Sequence, residues 1–497
     1  MATDNNDQNG ITRRDFTSRL GAAAAGVAVG GEFVNAQNNA APRVGNRIIG
    51  ANDRVVCASI GIRGQGNSLK QGFARLKGVE IKTLCDVDEN LAAERINDKR
   101  LANVETFKPK FERDLRRVME DKDVDAVIIA TPNHWHALAT SWALQNGKHV
   151  YVEKPSTYTV WEGRNMVQAA SHYKKIVQVG TMNRSRPAVR QAIEFIKSGG
   201  IGKVYMARGL CFKPRPPIGK YPDGPMGPTE TYALTASGKP DPQLKYTPQY
   251  LSKVDYDLWL GPAPKRPFNR NRFHYNWHWH WDYGNGDTGN QGPHQFDIAR
   301  WGLGKQEHPV KVMSTGGYFG PESSQETPNM QTAMFVYADG TILEFGTRGN
   351  PTPNEGTQRI GNLFFGDKGW LYIDGDGRDW QSYIGPASAG DKAEKGPGST
   401  APAGSGGSDP LVLTSIEYPH YQNFIDAIRA NDPKMLTCDA LEGHLSSALP
   451  HLANISYRVG RGLTFDPKNE KFVDDKDADK LLTREYRKGF EIPKSYS

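Results

Sequence analysis

The chain has 497 residues, and its 62 Lys and Arg residues exceed its 55 Asp and Glu residues, giving a formal net charge of +7 at pH 7. A chain of this length suggests two domains. The basic surplus is mild and includes no compact Lys/Arg run or aromatic-basic motif, so it gives no reason to expect a nucleic-acid partner. Four cysteines are too few for a disulfide framework.

The first 36 residues have the layout of an export signal. Thr12-Arg13-Arg14-Asp15-Phe16 precedes an apolar run from Leu20 to Val29 and a small-residue end at Val34-Asn35-Ala36. We expect residues 1–36 to be a twin-arginine signal peptide and 37–50 a linker, and the protein to be periplasmic or otherwise exported. The run is shorter than the ~20 residues of a spanning helix, so no stable membrane insertion of the mature chain is expected. A disordered basic leader, or a short anchor if cleavage fails, is the alternative.

An apolar run from Arg54 to Ile60 is typical of a buried strand, and it leads into a glycine-rich turn at Gly61-Ile62-Arg63-Gly64-Gln65-Gly66. Gly61 and Gly66 match the first and third glycines of the dinucleotide-binding G-x-G-x-x-G turn. Arg63 replaces the middle glycine, which normally lets the backbone approach a pyrophosphate. Either Gly64 takes over that role, or Arg63 points away or contacts the phosphate.

A second strand, Val79–Cys85, ends at Asp86. This acid lies about 20 residues after the last glycine, where a carboxylate bonds the ribose 2′-hydroxyl of NAD. Because a carboxylate repels a 2′-phosphate, the sequence favours NAD over NADP.

Two further strands end in polar loops. Asp125–Ala130 leads into Thr131-Pro132-Asn133-His134-Trp135-His136, and His149–Val152 leads into Glu153-Lys154-Pro155. The carboxyl ends of parallel strands meet at one edge of a sheet, where ligands bind. Residues 51–183 are therefore predicted to form an α/β Rossmann domain that binds NAD.

The second half of the chain predicts both helices and strands, at Ala188–Lys197, Val310–Ser314, Thr332–Tyr337, Thr341–Phe345, Gly369–Ile373, Tyr418–Ala430 and Leu441–Arg458. The proline-rich segment Lys213–Arg272 is too long for an ordinary loop, and we expect it to wrap the substrate face. Residues 386–408, dominated by Gly, Ala and Ser, predict a mobile surface loop. We assign 184–497 to a second, substrate-binding domain.

The segment Phe273–Tyr283 is almost wholly aromatic and histidine. Strand-like alternation would place its histidines and tryptophans on opposite faces. Three interpretations stay open: a zinc site of close histidines, a structural aromatic cluster, and a wall that stacks on a sugar ring while its histidines reach the hydroxyls. We predict no metal, and we take as candidate substrate-binding residues His278, His280, Trp281 and Tyr283.

Together these motifs resemble the glucose-fructose oxidoreductase, inositol dehydrogenase and MocA (Gfo/Idh/MocA) family. The resemblance extends from about Arg54 to the C-terminus and includes Thr131–His136, Glu153–Pro155, Gly180–Arg184 and Gly292–Asp297. It implies a C-terminal α+β domain with an open, mainly antiparallel sheet that often mediates homo-oligomers. The cofactor-binding residues it implies, with those of the glycine turn, are Gly61, Arg63, Gly64, Gly66, Asp86, Thr131, Pro132, Asn133, His136, Glu153, Lys154, Asn183 and Arg184.

The resemblance also implies catalytic roles for Lys154 and His294. Lys154 would hydrogen-bond the reacting hydroxyl of a sugar, cyclitol or sugar derivative, and His294 would take its proton while nicotinamide accepts hydride. Turnover should then rise through the histidine range near ~6.5. Asn290 stands where the family commonly has an aspartate, and its amide can orient substrate but cannot accept a proton. Asp297 either orients His294 or lies in the first turn of a helix.

Two other functions stay open. Related NAD-dependent N-acetylgalactosaminidases oxidise a ring hydroxyl transiently, eliminate the glycoside, add water and return the hydride. That redox-neutral route needs an extra acid or base, for which the candidates are His274, His278, His280 and Tyr283. A non-catalytic NAD-containing sugar-binding protein is the third possibility, favoured by Arg63 and Asn290. Under export, the cofactor should be held tightly, because no free NAD is expected outside.

Overall fold

In the computed structural model, the chain is described at residues 54–227, 233–234, 240–241, 246–355, 358–385, 393–399 and 418–496. These residues lie in one contact-defined unit, Val44–Ser497. The predicted signal and linker lie outside the described residues. Within them, no helix combines the length and the apolar character that crossing a membrane requires.

The N-terminal half forms a parallel Rossmann sheet, as predicted. Its described strands lie in the order β3-β2-β1-β4-β5-β6. Their bounds are β1 Val55–Ile60, β2 Val79–Cys85, β3 Lys110–Glu112, β4 Ala126–Ile129, β5 His149–Val152 and β6 Val177–Val179. All residues of β1, β4 and β5 are buried, because helices cover both faces of such a sheet. The chain reverses direction across the sheet between β1 and β4, and this is where the fold opens a ligand crevice.

The connecting helices are α1 Gln65–Ala74, α2 Ala92–Ile96, α3 Leu115–Glu120, α4 Asn133–Gln145 and α5 Val160–Tyr173, with 3-10 turns at Glu89–Leu91, Lys99–Leu101 and Met182–Ser185. The start of α5 is fixed by a capping box, in which the Thr159 hydroxyl accepts from the Glu162 amide and the Glu162 carboxylate accepts from the Thr159 amide. Such reciprocal bonds satisfy backbone donors that a helix start leaves unpaired.

The C-terminal half is built on a second, mixed sheet. Its described strands lie in the order β16-β15-β14-β13-β7-β12-β11-β10-β17-β18, and of these pairs only β7 and β12 run parallel. The strands are β7 Val204–Cys211, β10 Lys311–Gly317, β11 Met330–Val336, β12 Ile342–Arg348, β13 Ile360–Gly366, β14 Gly369–Asp374, β15 Trp380–Ile384, β16 Glu394–Gly398, β17 Leu463–Asp466 and β18 Lys471–Phe472, beside the separate pair β8 Ala233–Leu234 and β9 Pro240–Asp241. The mainly antiparallel sheet confirms the predicted fold class.

The remaining helices are α6 Pro187–Lys197, α7 Pro248–Leu251, α8 Tyr256–Leu260, α9 Gly286–Asn290, α10 Gly292–Gly302, α11 Tyr418–Ala430, α12 Ala440–Val459 and α13 Lys476–Lys480, with 3-10 turns at His274–Trp279 and Pro433–Met435. Helices cover one face of the large sheet, where the aromatic side chains of Phe296, Phe345 and Phe364 are buried together.

Strand alternation sends a second set of side chains to the opposite face. Phe365 pairs with Trp370, and Trp370 with Tyr383, on strands whose alternate residues enter the core. The rings of Trp370 and Tyr383 stack with centroids 4.2 Å apart. These partly exposed residues form what we call the open aromatic face: Met206, Leu363, Phe365, Trp370, Tyr372 and Tyr383.

The closing helices return to the first sheet. Tyr421 and Phe424 of α11 are buried against Phe73 of α1 and Tyr151 of β5, and the Phe73 and Tyr421 rings lie 4.8 Å apart. A bulkier residue than Gly72 would clash with Tyr421, because a Cβ there would lie 2.6 Å from its ring. Helix α11 therefore completes the core of the Rossmann half.

Two sequence predictions need correction. Phe273–Tyr283 is not a strand: His274–Trp279 forms a 3-10 turn, whose period of three does not give the two-faced alternation. Residues 386–408 are not a single loop, because Glu394–Gly398 pairs with β15 as an edge strand. The rest of that segment, apart from its immediate neighbours 393 and 399, lies outside the described residues.

Candidate active site

A cavity of about 520 Å³ opens at the carboxyl edge of the Rossmann sheet. Loops after β1, β2, β4 and β5 line one side, and the segment that precedes α10 lines the other. The sequence-predicted residues that line it are Gly61, Arg63, Gly64, Asp86, Thr131, Pro132, Asn133, His136, Glu153, Lys154, Asn183, His278, Asn290 and His294. The residues predicted to bind the dinucleotide and those predicted to bind the substrate thus line the same cavity.

The glycine turn has the geometry of a phosphate-binding loop. Gly61 has φ +80°, and a Cβ on Gly66 would lie 1.6 Å from the Gly61 carbonyl oxygen, so both positions require glycine. Beyond its own chain neighbours, no atom of the described residues lies within 4 Å of a Cβ placed on Gly64. Gly64 therefore offers the open backbone that the middle glycine normally supplies. Arg63 lines the cavity and is an additional cation beside it.

Asp86 is held by the backbone. Its Oδ2 accepts from the Ile62 amide at 2.9 Å and its Oδ1 from the Asp88 amide at 3.0 Å. Burial raises the pKa of this carboxyl to about 6, so it is ionised at neutral pH. Each carboxylate oxygen has a second lone pair available for a ribose hydroxyl. The open backbone at Gly64 and the carboxylate of Asp86 together fit NAD.

The structure adds a cluster that the sequence did not reveal. Asp88, two residues beyond Asp86, is buried and accepts from the Tyr250 hydroxyl at 2.5 Å, while His274 Nε2 lies 3.3 Å from it. Backbone bonds join the same loops, from the Glu89 amide to Lys253. Part of the proline-rich segment thus lies against the Asp88–Glu89 loop, on the predicted cofactor side of the cavity rather than on the predicted substrate face. Only a three-dimensional contact could identify these residues.

Lys154 lies at the other end of the cavity. Its Nζ donates to the Asn290 backbone oxygen at 2.7 Å and lies 3.4 Å from the Asn290 side-chain oxygen. Burial and the nearby Lys213 and Arg215 lower the pKa of Lys154 below its ordinary 10.5, although Glu153 and Asp287 oppose this. Since an ammonium has three donors, one N–H is free of these two acceptors and can meet a substrate oxygen.

His294 stands near the start of α10. Its Nδ1 is buried and has no hydrogen-bond partner among the described residues. Burial, followed by the charge of Lys154, lowers its pKa well below 6.5. The imidazole is therefore neutral at pH 7 and can accept a proton. The predicted turnover rise near pH 6.5 must be corrected to lower pH, because both effects favour the neutral ring.

Asp287 and Arg215 support this end of the cavity from behind. Arg215 Nε and Nη2 donate to the two Asp287 oxygens at 2.8 and 2.7 Å, and Arg215 Nη1 donates to the Tyr275 hydroxyl at 3.1 Å. Both side chains are largely buried. The bidentate pair fixes the position of Tyr275, which lines the cavity.

Five predicted ligand-binding residues do not line the cavity. Gly66 is one of them, and it packs against the Gly61 carbonyl inside the glycine turn. Arg184 is buried in an ion pair with Asp297, at 2.8 Å, and with Glu442. Asp297 therefore holds Arg184 rather than orienting His294, and Arg186 reaches the cavity instead. The other three are predicted substrate-binding residues that lie outside the cavity, because the 3-10 turn directs their side chains elsewhere. His280 Nε2 lies 2.7 Å from the Asn271 oxygen, Tyr283 is buried in the aromatic core, and Trp281 lies beside Tyr457.

The metal interpretation of the aromatic segment gains no support. Among the described residues, one group has metal-ligand spacing, namely His308, His444 and Glu470, and none of the three lines the cavity. Arg164 Nε lies 3.2 Å from the same Glu470 oxygen that both imidazoles approach. The positive guanidinium would repel a metal cation at this carboxylate, so the three residues form a hydrogen-bond network.

Sequence profiles identify both halves. One described as "Oxidoreductase family, NAD-binding Rossmann fold" matches residues 56–181, and one described as "Oxidoreductase family, C-terminal alpha/beta domain" matches 231–357 and 412–492. The chain belongs to the Gfo/Idh/MocA oxidoreductase family. This membership confirms the resemblance seen in the motifs and identifies the first half as an NAD-binding domain.

Curated relatives match part of this family member. Glycosyl hydrolase family 109 protein 1 of Shewanella sp. (strain MR-4) is 29% identical over 206 residues, which is 39% of this chain and 44% of the relative. The family 109 protein of Shewanella baltica (strain OS195) matches to the same extent. The match thus spans less than half the length of these relatives.

Solved structures share the fold over almost their whole length. Levoglucosan dehydrogenase in complex with NADH and levoglucosan has a TM-score of 0.57 and 18% identity, covering 83% of this chain and 99% of that one. Aldose-aldose oxidoreductase from Caulobacter crescentus has a TM-score of 0.56 and 15% identity, covering 83% and 100%. At this identity, the likeness establishes the fold.

Proposed function

We propose that the protein is an NAD-dependent oxidoreductase that transfers hydride between a hydroxyl-bearing carbon of a sugar, cyclitol or sugar derivative and a tightly bound cofactor. The observation that carries this proposal is the shared cavity, in which the glycine turn and Asp86 lie at one end and Lys154, Asn290 and His294 at the other. When bound, nicotinamide supplies the hydride acceptor.

The cavity residues have separate roles in the proposed reaction. Lys154, anchored on Asn290 at 2.7 Å, directs its remaining N–H at the reacting oxygen and stabilises negative charge there. His294, neutral because of burial and Lys154, takes the hydroxyl proton. Asn290 holds the ammonium and does not titrate.

A carbohydrate substrate is supported by two kinds of observation. Tyr275, Trp277 and His278 supply flat rings to the cavity wall, and such rings cover the C–H faces of sugars. Neighbouring structures carry the names of a levoglucosan dehydrogenase and an aldose-aldose oxidoreductase.

We also propose export through the twin-arginine signal and a cofactor that stays bound through the catalytic cycle. A second sugar or keto compound would then reoxidise the cofactor in the same cavity. Replacing Arg13 and Arg14 by Lys should retain the protein in the cytoplasm, as measured by fractionation. Unchanged export would refute the signal.

The open aromatic face supports a homo-oligomer. Its rings lie on neighbouring strands of the large sheet and are partly exposed among the described residues, and burial of such a face by a second copy would remove apolar area from water. We propose that two copies of the chain associate there.

A redox-neutral glycoside hydrolase is the second candidate. It is favoured by the family 109 glycosyl hydrolases, which are 29% identical over 206 residues. In this function the same oxidation would be followed by elimination of the glycoside, addition of water and return of the hydride.

Mass spectrometry of the purified protein and its products tests these functions. We expect NAD to be released on denaturation, and a keto-sugar with reduced cofactor to appear after incubation with a panel of aldoses, cyclitols and glycosides. Free aglycone without net redox change would instead establish the hydrolase. Tight sugar binding without turnover would identify a non-catalytic binding protein.

A further inference from the structure

His278 is the histidine of the aromatic segment that lies at the Lys154 end of the cavity. His280 and Tyr283 do not line the cavity, and His274 is engaged by Asp88 at its ribose side. Its ring lies 4.5 Å between centroids from that of Tyr275, whose hydroxyl accepts from Arg215, and it lines the same cavity as Lys154. Hydroxyl oxidation needs one proton acceptor, His294, so a second imidazole there calls for another use.

The protonation state of His278 is fixed by its surroundings. Its Nδ1 lies 2.6 Å from the Tyr275 carbonyl oxygen, which can only accept, so Nδ1 carries the proton. The neutral ring then has its lone pair on Nε2. Trp277 stacks on the ring at 3.6 Å between centroids and 19° between planes. A Cβ on Gly284 would lie 2.7 Å from the His278 Cα, so the backbone has no room to shift.

Charge decides when Nε2 can hold a proton. Burial lowers the pKa of His278 to about 3; the bond to the Tyr275 carbonyl opposes this shift, and the charges of Lys154 and Arg215 add to it. The ring is therefore a neutral base at pH 7. It keeps an added proton only while a new negative charge lies beside it, and an enolate whose oxygen is held by Lys154 supplies one.

We propose that His278 is a second proton-transfer residue of the cavity, which removes a C–H proton next to a substrate carbonyl. The proposal rests on the proposed function for the origin of the carbonyl. The C–H bond breaks, its electron pair forms the enolate C=C bond, the carbonyl electrons move to oxygen, and the proton goes to Nε2. Reprotonation reverses the step. Alternatively, as the carbonyl re-forms, the enolate C=C pair moves into a new C=C bond to the carbon that bears the glycosidic oxygen, the bond to that oxygen breaks, and the oxygen takes the proton from Nε2.

Deuterium exchange of a substrate that is already a ketone tests the step directly. The probe is methyl 3-keto-glucopyranoside, incubated with the NAD-loaded protein in D2O and followed by NMR at the hydrogens next to the carbonyl. We expect His278→Asn to slow the enzyme-dependent exchange at least ~100-fold, as for loss of a general base. The Asn amide can still donate to the Tyr275 carbonyl, so the turn keeps its bond. His172→Asn, on the exposed surface of α5, is the matched control.

A parallel assay separates this proposal from the proposed function. Cofactor reduction by the aldose and cyclitol panel should vanish in His294→Ala. In His278→Asn its kcat should stay measurable while KM rises, because hydride transfer needs no C–H base but the variant loses a ring of the cavity wall. If the wild-type protein catalyses the exchange but does not reduce the cofactor, the proposed oxidoreductase function is wrong and the proton-transfer role of His278 stands. Cofactor reduction without wild-type exchange, or exchange that survives in His278→Asn, would overturn the role of His278. If His278→Asn does not fold, His278→Gln, with a non-basic amide near the Nε2 position, is judged by the same criteria.

Discussion

Lys154 shows how one side chain at a strand end can be both anchored and available. The Asn290 carbonyl and amide oxygens hold two directions of the ammonium, and the cavity takes the third. An aspartate in place of Asn290 would pair with Lys154 as a charge. The amide holds it without neutralising it, which leaves the full positive charge for a developing alkoxide.

Replacing either proposed catalytic side chain should abolish most turnover. Lys154→Ala removes the donor to the alkoxide, and His294→Ala removes the proton acceptor, so each should cut kcat at least ~100-fold. Bound NAD and the melting temperature should change little. Lys203→Ala, at an exposed position before β7, serves as the control. Near-normal kcat in His294→Ala would remove His294 as the base.

The pH dependence of turnover follows from the direction of two pKa shifts. His294 must be neutral, and its pKa lies well below 6.5, so activity should fall only at a pH far below 6.5. Lys154 must be charged, and its pKa lies below 10.5, so the alkaline decline should begin below 10.5. The measurement is kcat against pH, and a half-maximal acid point at 6.5 would contradict the neutral, buried imidazole.

Asp86 should determine cofactor preference. Asp86→Ala removes the ribose acceptor and the repulsion of a 2′-phosphate, so NAD binding should weaken by roughly 1 to 3 kcal/mol while discrimination against NADP falls. Calorimetry with both cofactors measures the two effects. An unchanged ratio of affinities would place the selective acid elsewhere, with Asp88 the next to test.

At the scale of elements, the sequence predicts helices and strands best where the local pattern of apolar residues determines them. The strands before Gly61, Asp86 and Lys154 were recognisable because parallel strands are continuous apolar runs. The aromatic segment was misjudged because its alternation reflected cavity and core packing rather than the two faces of a strand. The Arg184–Asp297 pair joins positions far apart in the chain, and no local pattern marks such a contact.

Glu470 should fasten β18 to the Rossmann half, since its carboxylate accepts from His308, His444 and Arg164 at 2.9, 2.8 and 3.2 Å. Glu470→Ala leaves these donors unpaired and should lower the unfolding free energy by about 3 kcal/mol. Asp477→Ala, in an exposed ion pair, should change it little. Denaturant unfolding measures both, and equal effects would refute the network.

The same network should make the protein acid-sensitive. Burial lowers the pKa of His444 to about 4, so the unfolded chain binds the extra proton. Stability from neutral His444 is therefore full above pH 6.5 and lost as the pH falls toward about 4. Although burial opposes it, the donors lower the pKa of Glu470, so its contribution is lost below its ordinary 4.5. In Glu470→Ala the part of the pH dependence below pH 4.5 should flatten, while the part from His444 remains.

At the scale of the whole molecule, the open aromatic face predicts assembly. Trp370→Glu introduces a charge where Phe365 and Tyr383 flank the ring, and it should shift the protein to a smaller species in sedimentation. Leu441→Glu, at a 39% exposed position on α12, should not. An unchanged mass for Trp370→Glu would exclude this face as the interface.

The return of α11 to the first sheet bears on how the chain is made. Phe73 and Tyr151 leave the ribosome before the rings of Tyr421 and Phe424 that complete their core, and about 270 residues separate Tyr151 from Tyr421. A nascent chain that has not reached Tyr421 therefore exposes the apolar flank of α1 and β5. During that period chaperones would shield the flank.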